Sequence, residues 1–433
     1  MCIGVFNHSI YQDITEKIVG EKMKISKEKT THYILLYIML QYIGGRLLPY
    51  LGSTFHLIAL AISLFAILFH QSRYKNAELI NWLILLVASL GVTVMMTFGG
   101  LSIGTSVAIL SRFLVAWAAI AWNYDYFVER LVKISVFLCS VSCILFAIVS
   151  VLGMSSVSWL LPYLEVIQGT DGKPITYGLF LVVFNVMDLT RNAGIFGEPG
   201  ELQILVNMAL YFLLFRTPVD LNKKKMTYFI LLIITMATNR STTGLMSTIV
   251  LLVCYLLNAK DEDKKTKHLI SLLIAVASVY LVFFAGEDSI ITSALINKMM
   301  LNGRIDFQHG TASARMMSFA ILEKVIRTKP LSLILGVGFN GLVSFITEET
   351  ALACAGLISG WIMFGSITYL IIYGKTIGYL TRMKRSAAEL ICLIFMIINN
   401  GLGQPDIMSI FVVIIGAYFC ESKWRNYNYT IEG

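Results

Sequence analysis

Charged residues and prolines are scarce in this sequence. Charged side chains make up 14% of its 433 residues, only seven residues are proline, and 57% are hydrophobic. A mean hydropathy of +0.75 excludes a soluble globular protein. The seven cysteines lie in or beside apolar runs apart from Cys2, so we expect neither a disulfide framework nor a metal site. A P-loop, a dinucleotide fingerprint and a Ser/His/Asp catalytic order are also missing.

Apolar runs recur along the chain and predict an all-α, polytopic membrane protein. No stretch has the composition of a separate extramembrane domain. We expect an N-terminal segment at 1–30, a membrane domain at 31–420 and a tail at 421–433. The twelve predicted spans lie near 31–50, 53–71, 77–98, 101–122, 131–153, 199–216, 226–238, 243–258, 268–285, 350–374, 387–400 and 406–420.

The basic residues indicate how the spans are oriented. Of 34 Lys and Arg residues, 23 fall in segments that share one side of the membrane with the N-terminus. Because cytoplasmic loops carry an excess of Lys and Arg, we expect both termini to be cytoplasmic. The net charge of +8 then reflects anchoring at the bilayer surface and indicates no nucleic-acid partner. Residues 1–30 are polar and predict no cleavable signal peptide; Met23 is as good a start as Met1.

Two long loops are expected on the outer side, at about 154–197 and 286–349. Nearly every other connection is short, and long loops in a compact body usually carry function. The second loop contains the helical pattern SARMMSFAILEKVIRTKP, in which Arg315 shares one face with three apolar residues, Phe319, Leu322 and Ile326. We therefore expect Arg315 to point toward the membrane body.

Other readings of the second loop remain open. An arginine in such a helix can also snorkel at the interface without a further role. Three other basic residues of this helix are expected to face solvent or lipid headgroups: Lys324, Arg327 and Lys329.

The first loop ends in DLTRNAGIFGEPGELQ, residues 188–203, which places an arginine and two glutamates at the mouth of a membrane helix. The Gly-rich part cannot be a helix interior, but Pro199 can start the helix that follows. Arg191 and Glu198 then lie just before a helix N-terminus, where amide donors and the positive dipole end suit a phosphate. The alternative is a capped loop that only enters the bilayer.

A third candidate is the turn NRSTTG at 239–244. The thirteen apolar residues before Asn239 rise only about 20 Å, whereas a hydrocarbon core is about 30 Å thick. We expect the turn to lie within the depth of the bilayer, which is tolerated where backbone is buried in protein or lines a wet cavity. Arg240 is therefore a candidate site residue, or else a residue that ties helices together. The segment IINNGLGQPD is similar but has only Asn399, Asn400, Gln404 and Asp406, which we expect to line a cavity.

Four segments in this order resemble the O-antigen polymerase and ligase superfamily. They are R-x-x-G-I-F-x-E-P at Arg191 to Pro199, the turn NRSTTG, LILGVGFNG at 333–341 after the long outer loop, and ACAGLISGWIMFG at 353–365. The resemblance covers about 188–374, somewhat under half of the chain.

The resemblance implies a glycosyl transfer that inverts the anomeric centre and needs no metal or cofactor. It implies a bacterial cytoplasmic membrane, a glycan on undecaprenyl diphosphate as donor and a second such glycan as acceptor, with a chain-length regulator and a flippase as partners. Arg191 and Arg315 then correspond to the outer-loop arginines that hold the lipid diphosphate, and Arg240 to the arginine of the hairpin turn. Arg304, in the same outer loop as Arg315, joins this set.

The general base is the part of the pattern that does not match. Ligases of the superfamily place a histidine after the GVG segment, but residues 342–352 read LVSFITEETAL. This departure favours a polymerase over a ligase. The candidate bases are Glu349 and Glu348, then Glu198 and His309; solvated glutamates at a helix start are the alternative for the first pair. A flippase or another transporter would also use short broken helices and intramembrane arginine, but we find no internal repeat.

Overall fold

The computed structural model shows a predominantly helical protein. The residues that it describes are 27–70, 73–96, 103–159, 166–168, 174–178, 180–181, 183–185, 189–217, 219–258, 266–272, 300–301, 304–305, 310–345, 355–382, 386–403 and 409–432.

The helices follow the apolar runs of the sequence. They are α1 (27–41), α2 (Leu47–Leu51), α3 (Ser53–Phe69), α4 (Ala77–Met96), α5 (Ile103–Trp122), α6 (Tyr124–Leu152), α7 (Pro199–Phe215), α8 (Lys225–Asn239), α9 (Thr242–Asn258), α10 (266–272), α11 (Gly310–Thr328), α12 (Ser332–Leu335), α13 (Gly338–Phe345), α14 (Gly356–Tyr369), α15 (Lys375–Arg382), α16 (Ala387–Gly403) and α17 (Ile410–Glu432). A π-helical turn, Leu370–Gly374, joins α14 to α15.

The predominantly helical structure is consistent with the all-α prediction, and both predicted long loops also contain short strands. In the first loop β1 (Val166–Gln168), β2 (Pro174–Tyr177) and β3 (Phe184–Asn185) form an antiparallel sheet. In the second, β4 (Met300–Leu301) pairs with β5 (Arg304–Ile305). These strands lie between apolar helices and leave the helical architecture unchanged.

Within the described residues, four helices are long and apolar enough to cross a membrane: Ala77–Met95, Gly104–Trp122, Tyr124–Leu152 and Gly356–Arg382. Four shorter apolar helices accompany them: Ser53–Phe69, Pro199–Phe215, Thr242–Asn258 and Ala387–Gly403. The bilayer core holds no water to bond with backbone N–H and C=O groups. These groups must therefore bond to one another, which favours α-helices in lipid. The chain therefore has the helices of a membrane protein.

Several helices extend beyond the predicted spans, mainly where polar residues continue a helix. Helix α6 begins at Tyr124, although the predicted span begins only near 131. The helix through α14 and α15 continues to Arg382, and α17 continues through the predicted tail to Glu432. These extensions are amphipathic or charged. A prediction based on apolar composition alone therefore stops before the helix does.

Helix α7 lies at the centre of the bundle. Nearly every residue from Pro199 to Leu214 is buried, against α6, α8, α9 and α16. An apolar surface on all sides is typical of a fully buried helix. The helix begins at Pro199, as predicted, and the residues before it, GIFGE at 194–198, are not helical. The segment that precedes α7 is therefore held against the core of the protein.

The helix ends gather at two ends of the bundle. At one, which we call the site end, Gly45 forms an isolated β-bridge with Phe196, and the Asn239 side chain donates to the Pro199 carbonyl. At the opposite end, the Asn76 Nδ2 lies 3.1 Å from Glu421 Oε2. Arg216, at the end of α7, pairs there with the buried Glu389 at 2.6 Å.

Candidate functional site

Two asparagines join the loop before α7 to the α8–α9 hairpin. Asn239 Nδ2 donates to the Asn192 carbonyl at 2.9 Å, and Asn192 Nδ2 donates to Thr238 Oγ1 at 3.1 Å. The Asn192 backbone N–H also donates to the Thr238 carbonyl at 3.0 Å. Both asparagines are buried: Asn192 is 3% exposed and Asn239 is 0% exposed. Because buried amides without partners are costly, these reciprocal bonds fix the loop on the hairpin turn.

Arg191 lies at this junction. Its Nε donates to the Asn239 carbonyl at 3.3 Å, so the guanidinium is anchored through one edge at the end of α8. A cavity of about 40 Å³ lies beneath it, lined also by Ser142, Leu145 and Asn192. Ligand pockets are typically at least about 300 Å³. This cavity is therefore too small to hold a ligand of that size, and the Arg191 side chain beside it is half-buried.

Arg240 has a left-handed backbone, with φ 52° and ψ 32°. Among the described residues, Arg240 is the one residue other than glycine that has a positive φ. This conformation costs roughly 1 to 2 kcal/mol for an L-residue with a Cβ. Such backbone strain tends to persist at functional positions. Its neighbours Asn239 and Ser241 are buried, at 0% and 4% exposure, so these parts of the turn lie within protein. The depth of the turn in the bilayer stays a prediction.

Acidic groups surround the start of α7. The Glu201 carboxylate turns back and accepts the backbone N–H of Gly197 at 3.0 Å and of Glu198 at 3.1 Å. It also fills the space beside Gly44, where an added Cβ would lie 2.1 Å from its Cδ. Glu201 is therefore a structural residue of the helix start. The Glu198 side chain, in contrast, is exposed.

Arg46 was not among the predicted site residues. Its guanidinium lies on Gly197, where an added Cβ would lie 1.4 Å from Nη2. Glu201 and Glu198 are its electrostatic partners, and its Nε is buried with no hydrogen-bond partner among the described residues. A buried donor without a partner is unusual and is compatible with an anionic ligand that completes it. The pair Gly44–Gly45 directly before it, at the end of the first apolar run, is a sequence signal that could have drawn attention to this position but was not used.

A buried amide network continues from the site into the bundle. Asn207 bonds to the Gln203 side chain at 3.1 Å and to the Gly244 carbonyl at 3.1 Å, and Gln203 donates to Asn400 at 2.9 Å. Asn399 donates to the Thr243 carbonyl at 2.9 Å. Asn399 thus ties α16 to α9 of the hairpin, and Asn400 ties α16 to α7. That these two residues line a cavity stays a prediction. Gln404 and Asp406 lie outside the described residues.

The four segments that carry the resemblance form two pairs. Residues 191–199 contact the turn at 239–244 through the asparagines described above. Segment 333–341 packs on the described part of the last segment, 355–365, where the Val337 N–H donates to the Ile362 carbonyl at 2.9 Å. Helix α16 lies between the pairs, since an added Cβ at Gly401 would lie 3.1 Å from Leu357 Cβ.

The other candidate residues are not brought to the site by the described contacts. The backbone of Arg315 lies in α11 and that of Arg304 in β5. Glu348, Glu349 and His309 lie outside the described residues, so the structure does not test their role as a base.

The predicted face of α11 was wrong. The helix buries Ser318, Ile321 and Val325, whereas Phe319 and Ile326 are 46% and 47% exposed. Ser318 Oγ accepts the Ala355 N–H at 3.1 Å, so a polar contact with the start of α14 fixes the rotation of the helix. A count of apolar residues could not detect this because the buried face includes a serine.

Arg327 and Lys324 are exposed, as expected. Arg327 forms an ion pair with Glu323 at 2.5 Å, one turn away on the same helix. Exposed pairs of this kind contribute little to stability.

The site can thus present arginine charge beside an exposed carboxylate at the start of a central helix. Guanidinium groups bind phosphate oxygens bidentately and do not lose their charge at neutral pH. Among the described residues no group of three His, Cys, Asp or Glu side chains could hold a metal ion. Comparison of the chain with protein-family models and with curated proteins finds no match.

Proposed function

We propose that this protein is a membrane glycosyltransferase that polymerises oligosaccharide repeat units carried on undecaprenyl diphosphate. The product is a surface polysaccharide such as an O-antigen, a capsule or an exopolysaccharide. The proposal rests on the resemblance of four sequence segments, and one observation supports it most: Arg46, Arg191 and Arg240 belong to three separate segments that meet around the start of α7.

The chemistry requires a good leaving group. An acceptor hydroxyl attacks the anomeric carbon of the donor sugar, the bond from that carbon to the diphosphate oxygen breaks, and its electron pair leaves with the diphosphate. Arginines that bind the diphosphate stabilise this developing charge. Since Arg46, Arg191 and Arg240 are positioned by backbone contacts of their neighbours, little reorganisation is needed when the substrate binds.

The hydroxyl proton needs an acceptor within hydrogen-bond reach. Glu198 is the candidate base whose position is described, and its exposed carboxylate is an electrostatic partner of Arg46. We assign the role to Glu198, with Glu349, Glu348 and His309 as the other candidates. Arg315 and Arg304 are proposed to reach the same diphosphate from the second long loop.

The proposed setting is a bacterial cytoplasmic membrane that the chain crosses about twelve times, with both termini in the cytoplasm. The site end then faces outward, where a lipid-linked repeat unit arrives from a flippase. A chain-length regulator is a further proposed partner.

A deletion strain of the native host tests the function. If long polysaccharide chains are lost while single lipid-linked repeats persist at the outer face, the protein is a polymerase. Long chains that remain attached to carrier lipid would identify a ligase. Repeats confined to the inner leaflet would identify a transporter.

The arginine mechanism also predicts the response to metal removal. Because guanidinium groups are proposed to neutralise the diphosphate, the activity of the purified enzyme on lipid-linked substrate should persist in excess EDTA. The measurement is chain elongation with and without chelator. Complete inhibition that magnesium reverses would contradict the mechanism.

A further inference from the structure

A second charged cleft lies at the opposite end of the bundle, away from the arginine site. It is formed by α4 on one side and by the π-helical turn and α15 on the other. Its volume is about 420 Å³, and its polar lining includes Glu78, Lys375 and Arg382. A π-helical turn inside a longer helix is often found at functional positions.

An apolar groove continues from this cleft along the same two helices. It has a volume of about 220 Å³ and is lined by Leu85, Ala88 and Val92 of α4 and by Ile367 of α14. Ile371 lines both spaces, so they adjoin. From Glu78 to Val92 the path follows α4 for about 21 Å at about 1.5 Å per residue. One leaflet of a bilayer contributes about half of a hydrocarbon core of about 30 Å, so the groove is long enough for an acyl chain of one leaflet.

The charge of the cleft is positive. Glu78 pairs with Lys423 at 2.9 Å, which offsets its charge. Lys375 and Arg382 form no ion pair within the part of the chain that the structure describes. Two cations at the end of an apolar groove match a lipid with a negative headgroup.

Two glycines leave the space between the helices open. Gly374 and Gly378 lie one turn apart and both line the cleft. An added Cβ at either position would meet no atom within 4 Å. A Cβ at Gly378 would therefore enter open space in the cleft without striking the protein.

We propose that this cleft and groove bind an anionic phospholipid, with its headgroup phosphate between Lys375 and Arg382 and an acyl chain along Leu85, Ala88 and Val92. The headgroup lies at the end of the bundle opposite to the arginine site. This lipid is therefore a structural or regulatory ligand and not the glycan donor, and the proposal holds whatever reaction the other end catalyses.

Native mass spectrometry of the full-length protein in detergent tests the site. Phosphatidylglycerol and phosphatidylcholine with identical acyl chains are titrated separately. Phosphatidylglycerol should bind at least about tenfold more tightly, and the double variant K375Q/R382Q should remove that preference, since each lost charge-assisted contact weakens binding about tenfold. R327Q, which removes an exposed arginine elsewhere, is the matched control and should keep it.

Two further measurements separate the headgroup from the chain. Gly378→Leu should reduce binding of phosphatidylglycerol about tenfold while the protein keeps its thermal unfolding midpoint. Inorganic phosphate at millimolar concentration should not displace the lipid; displacement would show a simple anion site and overturn the proposal. Equal binding of the two lipids, or full binding by K375Q/R382Q, would also overturn it.

Discussion

At the scale of single residues, the proposed mechanism depends on which arginines bind a ligand and which only anchor the chain. Arg191 donates from one edge of its guanidinium, through Nε, to the Asn239 carbonyl. Arg46 has a buried Nε without a partner among the described residues. A lysine can replace the charge of either residue but not the planar arrangement of donors.

Substitution by lysine should therefore separate the two roles. Arg191→Lys and Arg315→Lys should lower turnover by about tenfold to a hundredfold, because each lost charge-assisted contact is worth roughly 1.5 to 3 kcal/mol. Alanine at either position should cost more. The measurement is chain length in cells and turnover of the purified protein at normal expression.

Arg327→Lys is the internal control, because Arg327 is exposed and its ion pair among the described residues is with Glu323 on its own helix. It should behave as the wild type. Wild-type chain lengths from Arg191→Lys and Arg315→Lys, or equal damage from Arg327→Lys, would remove these arginines from the mechanism.

Gly197 tests the placement of Arg46. A Cβ at this position would lie 1.4 Å from Arg46 Nη2, so Gly197→Ala should displace the guanidinium. We expect a loss of activity and a destabilisation of about 1 to 3 kcal/mol, the usual cost of overpacking. Activity and the thermal unfolding midpoint in detergent are the measurements.

A double-mutant cycle gives this prediction its control. In an Arg46→Ala background the space is empty, so Gly197→Ala should destabilise the protein much less, while activity stays low. Gly91→Ala in α4, where a Cβ meets no atom within 4 Å, should be tolerated. Additive losses of stability in the cycle would show that Arg46 does not occupy the space at Gly197.

At the scale of elements, the α8–α9 hairpin is the part whose backbone conformation is least expected. A two-residue turn joins the helices, and Arg240 takes the left-handed conformation that glycine would adopt without strain. A residue chosen for stability alone would be glycine or asparagine. The presence of arginine suggests that its side chain serves another purpose.

Arg240→Gly should therefore raise stability and lower activity together. Relief of the left-handed strain should increase the free energy of unfolding by about 1 kcal/mol, whereas loss of the guanidinium should reduce turnover at least about tenfold. Arg240→Asn also accepts this backbone and lacks the charge, so it should lose activity to the same extent. Full activity in both variants would show that Arg240 has no part in binding.

Local sequence could predict much of these elements. Proline at the first position of α7 and glycines before it gave the helix start, and the short apolar runs gave both helices of the hairpin. The orientation of α11 could not be predicted, since Ser318 lies on its buried face through a bond to a residue of another segment. Arg46 was missed for the same reason, because its contact with Gly197 exists only in the folded bundle.

At the scale of the whole molecule, orientation in the membrane is the prediction on which the mechanism depends. Single cysteines are introduced at Lys173 and at Lys264 in a background without native cysteines. An impermeant thiol reagent on intact cells should modify the first and not the second, because basic loops stay in the cytoplasm. The reverse pattern would place the arginine site on the cytoplasmic side and end the outer-face mechanism.

The overall architecture was predictable only in its class. Apolar runs indicated a helical membrane protein, but they could not show that α7 is central or that the small sheets exist, because both depend on contacts between distant segments. The number of spans remains a prediction.

The contact between Arg46 and Gly197 also bears on how the chain is made. Arg46 enters the membrane with the first helices, long before ribosomes have synthesised Gly197, Glu198 and Glu201. During that interval its charge has none of these later partners, and an arginine at the bilayer centre is costly. At the end of α1 its side chain can reach interfacial water until the later segments arrive. Biosynthesis thus limits where such an arginine can lie: near a membrane surface, and not midway along an early helix.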